Sequence, residues 1–184
     1  EHKSLMNVKC EAPAYKEPRY KGGPVEHPLV YIPVFPGTNC DYDTAKAFRK
    51  AGAEVRFGVF RNLTATDVLE SIAEMKKNIS ECQILALAGG FSAGDEPDGS
   101  GKFIANVLEN KEIASEIQSL VDRGGLILGI CNGFQALVKS GLLPYGKAGA
   151  VTSDSPTLFR NDINRHVSCM VTTRVCSTRS PWLS

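Results

Sequence analysis

The sequence predicts an α/β fold of three layers, with a mostly parallel β-sheet covered by helices on both faces. From position 29 onward, short and almost wholly apolar runs alternate with amphipathic segments. Strands of this kind are typical of parallel sheets that are buried on both sides. The composition agrees, because 42% of the 184 residues are hydrophobic and 22% are charged, as expected for a globular domain with an ordinary core.

The first half of this domain is predicted to hold two strands and two helices. The apolar runs 29–35 and 54–60 predict buried strands. Between them, apolar residues at helical spacing predict a helix that Gly52 ends. Thr64 and Asp67 have the spacing of a capping box and predict the start of the next helix.

The next two strands, 84–88 and 126–128, each lead into a turn that contains glycine. The first runs into a glycine-rich loop, 89–101, and an amphipathic helix is predicted over 113–121. The second leads directly to Cys131. Because sites in parallel sheets form beyond the carboxyl ends of strands, we expect the loop and the Cys131 turn to meet.

The two ends of the chain differ from this pattern. Residues 1–28 contain several prolines and few aliphatic residues, which predicts a linker. Residues 167–175 alternate apolar and polar, which predicts a half-exposed strand. No closing strand or capped helix follows before Ser184. We therefore expect 29–184 to be a domain that is incomplete at its C-terminus.

Net charge, the length of apolar runs and cysteine spacing argue against several classes of protein. The net charge of +1 indicates no nucleic-acid partner, and no apolar run is long enough to cross a membrane or to serve as a signal peptide. The six cysteines contain no Cys-x-x-Cys pair, so no metal site is predicted. These features favour a reduced, cytoplasmic setting in which Cys82 is an inert core thiol.

The segment Gly129-Ile130-Cys131-Asn132-Gly133-Phe134-Gln135 has the pattern of a nucleophile elbow. Glycines two residues either side of the cysteine allow a sharp strand-to-helix turn, and the helix N-terminus favours a thiolate. Gln135 lies one helical turn from the thiol and can hold a polar substrate above it. The alternatives are a buried thiol for Cys131 and an ordinary surface side chain for Gln135.

The glycine-rich loop and the three histidines are considered as groups that could act together with Cys131. The loop from Gly89 to Asp95 can direct backbone N–H groups at a developing oxyanion together with the N–H of Asn132, or it can be a plain surface loop. A cysteine nucleophile also needs a base. His2 and His27 lie in the predicted linker, and His166 is a poor candidate, so no good base is visible.

Together these motifs resemble the triad class of glutamine amidotransferases. More narrowly, 129–135, 88–95, 30–40 and 158–161 are similar to the glutaminase domain of phosphoribosylformylglycinamidine synthase. The resemblance covers about 28–184 and implies the flavodoxin-like fold of class I glutamine amidotransferases. It also implies that residues 1–28 are a linker or the tail of a preceding synthetase domain.

The resemblance further implies a function. Cys131 would attack the glutamine side chain and form a thioester, and ammonia would pass to a synthetase region of the same parent chain or complex. The chain itself would need no cofactor, whereas the synthetase region would use ATP and magnesium. The remaining roles implied are oxyanion stabilisation by the backbone N–H groups of Gly90, Phe91 and Asn132, and substrate binding by Gly133, Gln135 and Asn161.

One departure from the family pattern concerns the base. The family's His-x-Glu pair does not occur within the 184 residues, so we expect this chain alone to be poorly active. A second departure is His166, where relatives usually carry an aromatic residue. Two other classes of function stay open: another cysteine hydrolase on a similar fold, and a non-catalytic docking module.

Overall fold

The computed structural model describes residues 23–95, 101–159, 161–175 and 180–183. The predictions made for residues 1–22, and for Cys176, lie outside these ranges. The chain divides into two units, of which the larger, Gly22–Asn164, holds every helix and strand of the described residues.

The larger unit is built on a four-stranded parallel sheet, as predicted. Its strands are β1 (Leu29–Val34), β2 (Glu54–Val59), β3 (Ile84–Leu87) and β4 (Leu126–Gly129). They lie in the order β2-β1-β3-β4, and all three pairings are parallel. The carboxyl ends of the strands therefore share one edge of the sheet.

In the part of the chain that the structure describes, six α-helices connect and follow the strands, and a short 3₁₀ helix, Ser92–Asp95, lies in the glycine-rich loop. The α-helices are α1 (Asp41–Lys50), α2 (Ala65–Glu81), α3 (Lys102–Leu108), α4 (Lys111–Asp122), α5 (Asn132–Lys139) and the short α6 (Leu142–Tyr145). The sequence pattern missed α3, because this helix has only seven residues and begins directly after the glycine-rich loop. Among the described residues, no helix is long and apolar enough to cross a bilayer.

The core has two parts, one on each face of the sheet. Val30 and Ile32 of β1 pack with Ala45 of α1 on one face. Tyr31 belongs to a larger cluster on the other face, which includes buried residues of α2, α3, α4 and α5. Because successive side chains of a strand point to opposite faces, an unbroken apolar strand supplies both clusters. The predicted three-layer arrangement is confirmed.

The strand predicted over 167–175 is wrong. The structure assigns no strand to this stretch, and residues 161–175 are all exposed. Alternating polarity indicates that a segment suits a half-buried sheet edge, but a strand forms only where another strand supplies its hydrogen bonds.

The capping box at the start of α2 is present as predicted. The Thr64 hydroxyl accepts a hydrogen bond from the Asp67 N–H at 3.1 Å, and the Asp67 carboxylate accepts one from the Thr64 N–H at 3.0 Å. These bonds satisfy two polar groups that an uncapped helix end leaves unpaired.

We predict that Thr64→Ala lowers the free energy of unfolding by about 1 kcal/mol, because it removes the capping acceptor. Urea denaturation followed by circular dichroism measures this loss. Thr66→Ala is the matched control, since Thr66 is exposed and lies inside the first turn. Equal losses for the two variants would contradict a capping role for Thr64.

Candidate active site

Cys131 occupies a strained turn between β4 and α5. Its backbone has φ 51° and ψ −109°, which places a non-glycine residue in a sparsely populated region. Strain of this kind persists only where the surroundings impose it. The side chain is exposed, as a nucleophile requires. The predicted strand–turn–helix geometry is therefore present, and the thiol is open to solvent.

The two glycines that flank Cys131 are required by packing. A Cβ at Gly133 would lie 2.2 Å from the carbonyl oxygen of Leu87 at the end of β3. A Cβ at Gly129 would lie 2.6 Å from a methyl carbon of Leu137 and 2.8 Å from the Phe134 nitrogen. Helix α5 thus starts in direct contact with two strands, which holds the turn at Cys131 in place.

The glycine-rich loop lies beside Cys131, as expected. A Cβ at Gly89 would be 3.4 Å from the Cβ of Cys131. At the far end of the loop, a Cβ at Gly101 would be 2.8 Å from the carbonyl oxygen of Asn132. Both ends of the loop therefore pack against the elbow.

A second turn, after β1, holds the loop from the other side. The N–H of Asn39 donates to the Gly89 carbonyl at 2.8 Å, and the N–H of Phe91 donates to the Gly37 carbonyl at 2.9 Å. Gly90 has φ 133°, and a Cβ there would lie 2.4 Å from the Gly37 oxygen. From the sequence, 36–39 was given no role beyond the resemblance to the family over 30–40. The position of this turn at the end of a neighbouring strand was the available signal.

The three backbone N–H groups predicted to stabilise an oxyanion differ in their surroundings. The N–H of Gly90 has no hydrogen-bond acceptor among the described residues. The N–H of Phe91 is already bonded to Gly37, although its side chain is exposed. Asn132 is the first residue of α5, directly after Cys131. The oxyanion role of these groups stays a prediction, and for Phe91 it requires the bond to Gly37 to be shared or broken.

The side chain of Asn132 makes contacts that sequence reasoning did not foresee. It is 1% exposed. Its Oδ1 accepts a hydrogen bond from the Ser92 N–H at 3.1 Å, and its Nδ2 donates to Oε1 of Gln135 at 3.2 Å. One carboxamide therefore connects the glycine-rich loop with a residue predicted to bind substrate.

The remaining predicted site residues lie in varied surroundings. Gln135 is half-buried on the first turns of α5. Gly133 is buried against β3 rather than open to a ligand. Asn161 is exposed in a turn, where its carbonyl accepts the Asn164 N–H at 3.0 Å. His166 is exposed and belongs to the smaller unit of the chain. The functional roles of these residues stay predictions.

Cys82 contrasts with Cys131. It is fully buried at the end of α2, and burial raises the pKa of its thiol to about 11. It therefore stays protonated at neutral pH, which confirms the prediction of an inert core thiol. Within the described ranges, no group of three or more His, Cys, Asp or Glu side chains is placed to hold a metal ion.

The strained and exposed cysteine at a helix N-terminus, beside a glycine-rich loop, is the arrangement expected of a cysteine nucleophile in a glutamine amidotransferase. The model of the CobB/CobQ-like glutamine amidotransferase domain matches residues 27–184, and the chain belongs to this family.

Individual proteins of known name are similar to part of this chain. The phosphoribosylformylglycinamidine synthase subunit PurQ of Dehalococcoides mccartyi is 43% identical over 59% of this chain and 38% of its own length. The protein of the same name from Cereibacter sphaeroides is 34% identical over 80% of this chain and 55% of its own. The matches thus span between 35% and 55% of the length of these relatives.

A solved structure, that of PurLQS from Thermotoga maritima, is 32% identical to this chain. The match covers 64% of this chain and 46% of that one, with a TM-score of 0.46.

We predict that Gly133→Ala lowers the free energy of unfolding by about 3 kcal/mol, because the new methyl group would overlap the Leu87 carbonyl and force α5 off β3. Urea denaturation measures this change. Gly23→Ala is the control, since a Cβ there meets nothing within 4 Å. A Gly133→Ala protein as stable as the control would show that α5 can shift freely.

Proposed function

We propose that this chain is the glutaminase part of phosphoribosylformylglycinamidine synthase in purine biosynthesis. The observation that carries the proposal is the exposed thiol of Cys131, held with φ 51° at the N-terminus of α5 beside Gly89. Support comes from family membership and from relatives whose names describe a synthase subunit.

In the proposed reaction, the Cys131 thiolate attacks the side-chain amide carbon of glutamine. The carbonyl oxygen becomes an oxyanion, and backbone N–H groups of Gly90 and Asn132 stabilise it. Phe91 joins them if its bond to Gly37 is released. The C–N bond then breaks, the nitrogen takes up a proton, and ammonia leaves a glutamyl thioester on Cys131.

Water completes the cycle. It attacks the thioester carbonyl through a second oxyanion in the same place, and the C–S bond breaks to release glutamate and the thiolate. The net change is one glutamine and one water converted to glutamate and ammonia. We propose that a synthetase region, using ATP and magnesium, consumes this ammonia to convert formylglycinamide ribonucleotide to its amidine.

The general base of this reaction is proposed to be a histidine held by a glutamate outside these 184 residues. None of the three histidines, His2, His27 and His166, is followed two positions later by an acidic residue. A thiolate at a helix N-terminus can still be alkylated without this base, because alkylation requires no proton transfer to a leaving amine.

We predict that a chloroketone analogue of glutamine alkylates this chain at Cys131, and that Cys131→Ser abolishes the label. Mass spectrometry of the cysteine-containing peptides measures this, and excess glutamine should slow the labelling. Cys40→Ser is the matched control, because Cys40 is also exposed at a helix N-terminus with a positive φ of 63°. A label that survives in Cys131→Ser would contradict the assignment of the nucleophile.

We also predict that the 184-residue chain alone hydrolyses glutamine about 10²- to 10⁴-fold more slowly than the same chain supplied with the family's His-x-Glu segment, because the base is essential to both steps. Coupled detection of glutamate gives both rates. Equal rates would place the base within this chain. If Cys131 expels the alcohol of an ester substrate and keeps its acyl group as a thioester, but forms no glutamyl thioester with glutamine, the result would favour a different cysteine hydrolase. Intact-protein mass spectrometry distinguishes the two adducts.

A further inference from the structure

The side chain of Asn132 lies between the two parts of the site that have to act together. Oxyanion stabilisation is expected from the glycine-rich loop, and substrate binding is expected from Gln135. The loop contributes the Ser92 N–H, which donates to Oδ1 of Asn132 at 3.1 Å, and Nδ2 of Asn132 donates to Oε1 of Gln135 at 3.2 Å.

These two contacts fix the orientation of both carboxamides. A backbone N–H can only donate, so the atom of Asn132 that faces Ser92 is its oxygen. The NH₂ group of Asn132 then faces Gln135, and the atom of the Gln135 carboxamide that can accept its hydrogen bond is Oε1. The two bonds therefore determine which way the Gln135 carboxamide points.

Because Asn132 and Ser92 are buried, losing either hydrogen bond costs free energy. Asn132 and Ser92 are 1% and 2% exposed, so water cannot readily replace a lost partner, and an unsatisfied buried polar group costs about 1–3 kcal/mol. Displacing the loop from the elbow therefore breaks a buried hydrogen bond. The loop, the elbow and Gln135 are expected to keep one relative position.

We propose that the Asn132 side chain is a positioning residue for acyl transfer at Cys131. It acts through Gln135 on the binding of the glutamine side chain, and through Ser92 on the placement of the oxyanion loop. This inference rests on the proposed glutaminase function. It assigns to the Asn132 side chain a role separate from the one predicted for its backbone N–H.

The test uses the full chain and two alkylating agents. The chloroketone analogue of glutamine reports the half-saturating concentration KI and the limiting rate at Cys131, whereas iodoacetamide reports only the accessibility and reactivity of that thiol. Asn132→Asp keeps an oxygen for the Ser92 N–H but cannot donate to Gln135. We expect it to raise KI about tenfold, the effect of one lost hydrogen bond. Because a carboxylate beside Cys131 would itself disfavour the thiolate, the iodoacetamide rate is compared in the uncharged variant Asn132→Ser, where it should change far less than KI.

A double-variant cycle shows whether the effect passes through Gln135. In a Gln135→Ala background, Asn132→Asp should raise KI no further. Asn132→Ser, which introduces no charge, is expected to behave in the same way and serves if the aspartate variant does not fold. Asn78→Asp is the matched control, because Asn78 is also buried but lies in α2 and bonds to Arg56. Its KI should equal that of the wild type.

The outcomes separate the two proposals. A KI unchanged in both Asn132 variants overturns the positioning role, and so does a KI that rises equally in the Gln135→Ala background. If the wild-type chain reacts with iodoacetamide at Cys131 but shows no saturable labelling by the chloroketone, the glutaminase proposal itself fails.

Discussion

The close contact between the start of α5 and the carboxyl end of β3 determines the geometry of the site. Only a hydrogen atom fits between Gly133 and the Leu87 carbonyl, where a Cβ would lie 2.2 Å from the oxygen. This contact fixes the first turn of α5, and with it the turn that presents Cys131. The positive φ of Cys131 is a consequence of this packing, since the chain has to leave β4 and enter the helix within two residues.

Three turns at one edge of the sheet then form a single hydrogen-bonded assembly. The turn after β1 bonds to the loop after β3 through Asn39 and Phe91. That loop bonds in turn to the first residue of α5 through Ser92. Parallel topology places all three turns at the same edge, but the glycines allow them to approach. A Cβ at Gly37 would lie 2.1 Å from the Phe91 oxygen.

Much of the fold could be predicted from sequence because its signals are local. Apolar runs gave the four strands, and the Thr64 capping box gave the start of α2. The strand predicted over 167–175 failed because alternation says nothing about a partner strand. Helix α3 was missed because seven residues after a glycine are too few for a clear helical period.

Only part of the site could be predicted from the sequence, because some of its contacts join residues that are far apart in the chain. The pattern around Cys131 identified the turn and its exposed thiol. The contacts of the Asn132 side chain were not predictable, because its partner Ser92 is 40 residues away and bonds through its backbone. The bond from Phe91 to Gly37 likewise depends on two loops that only the folded sheet brings together.

The two glycines that flank Cys131 are required by the fold, because a Cβ at either position would overlap other atoms of the protein. They do not determine which substrate the site selects. Gly129 and Gly133 are constrained by the chain itself, through Leu137 and Leu87. Their identity therefore carries no information about the molecule being processed. A protein of this fold that acts on a different amide would keep these glycines and would differ at half-buried side chains such as Gln135. Engineering of a new amide preference should begin with those side chains.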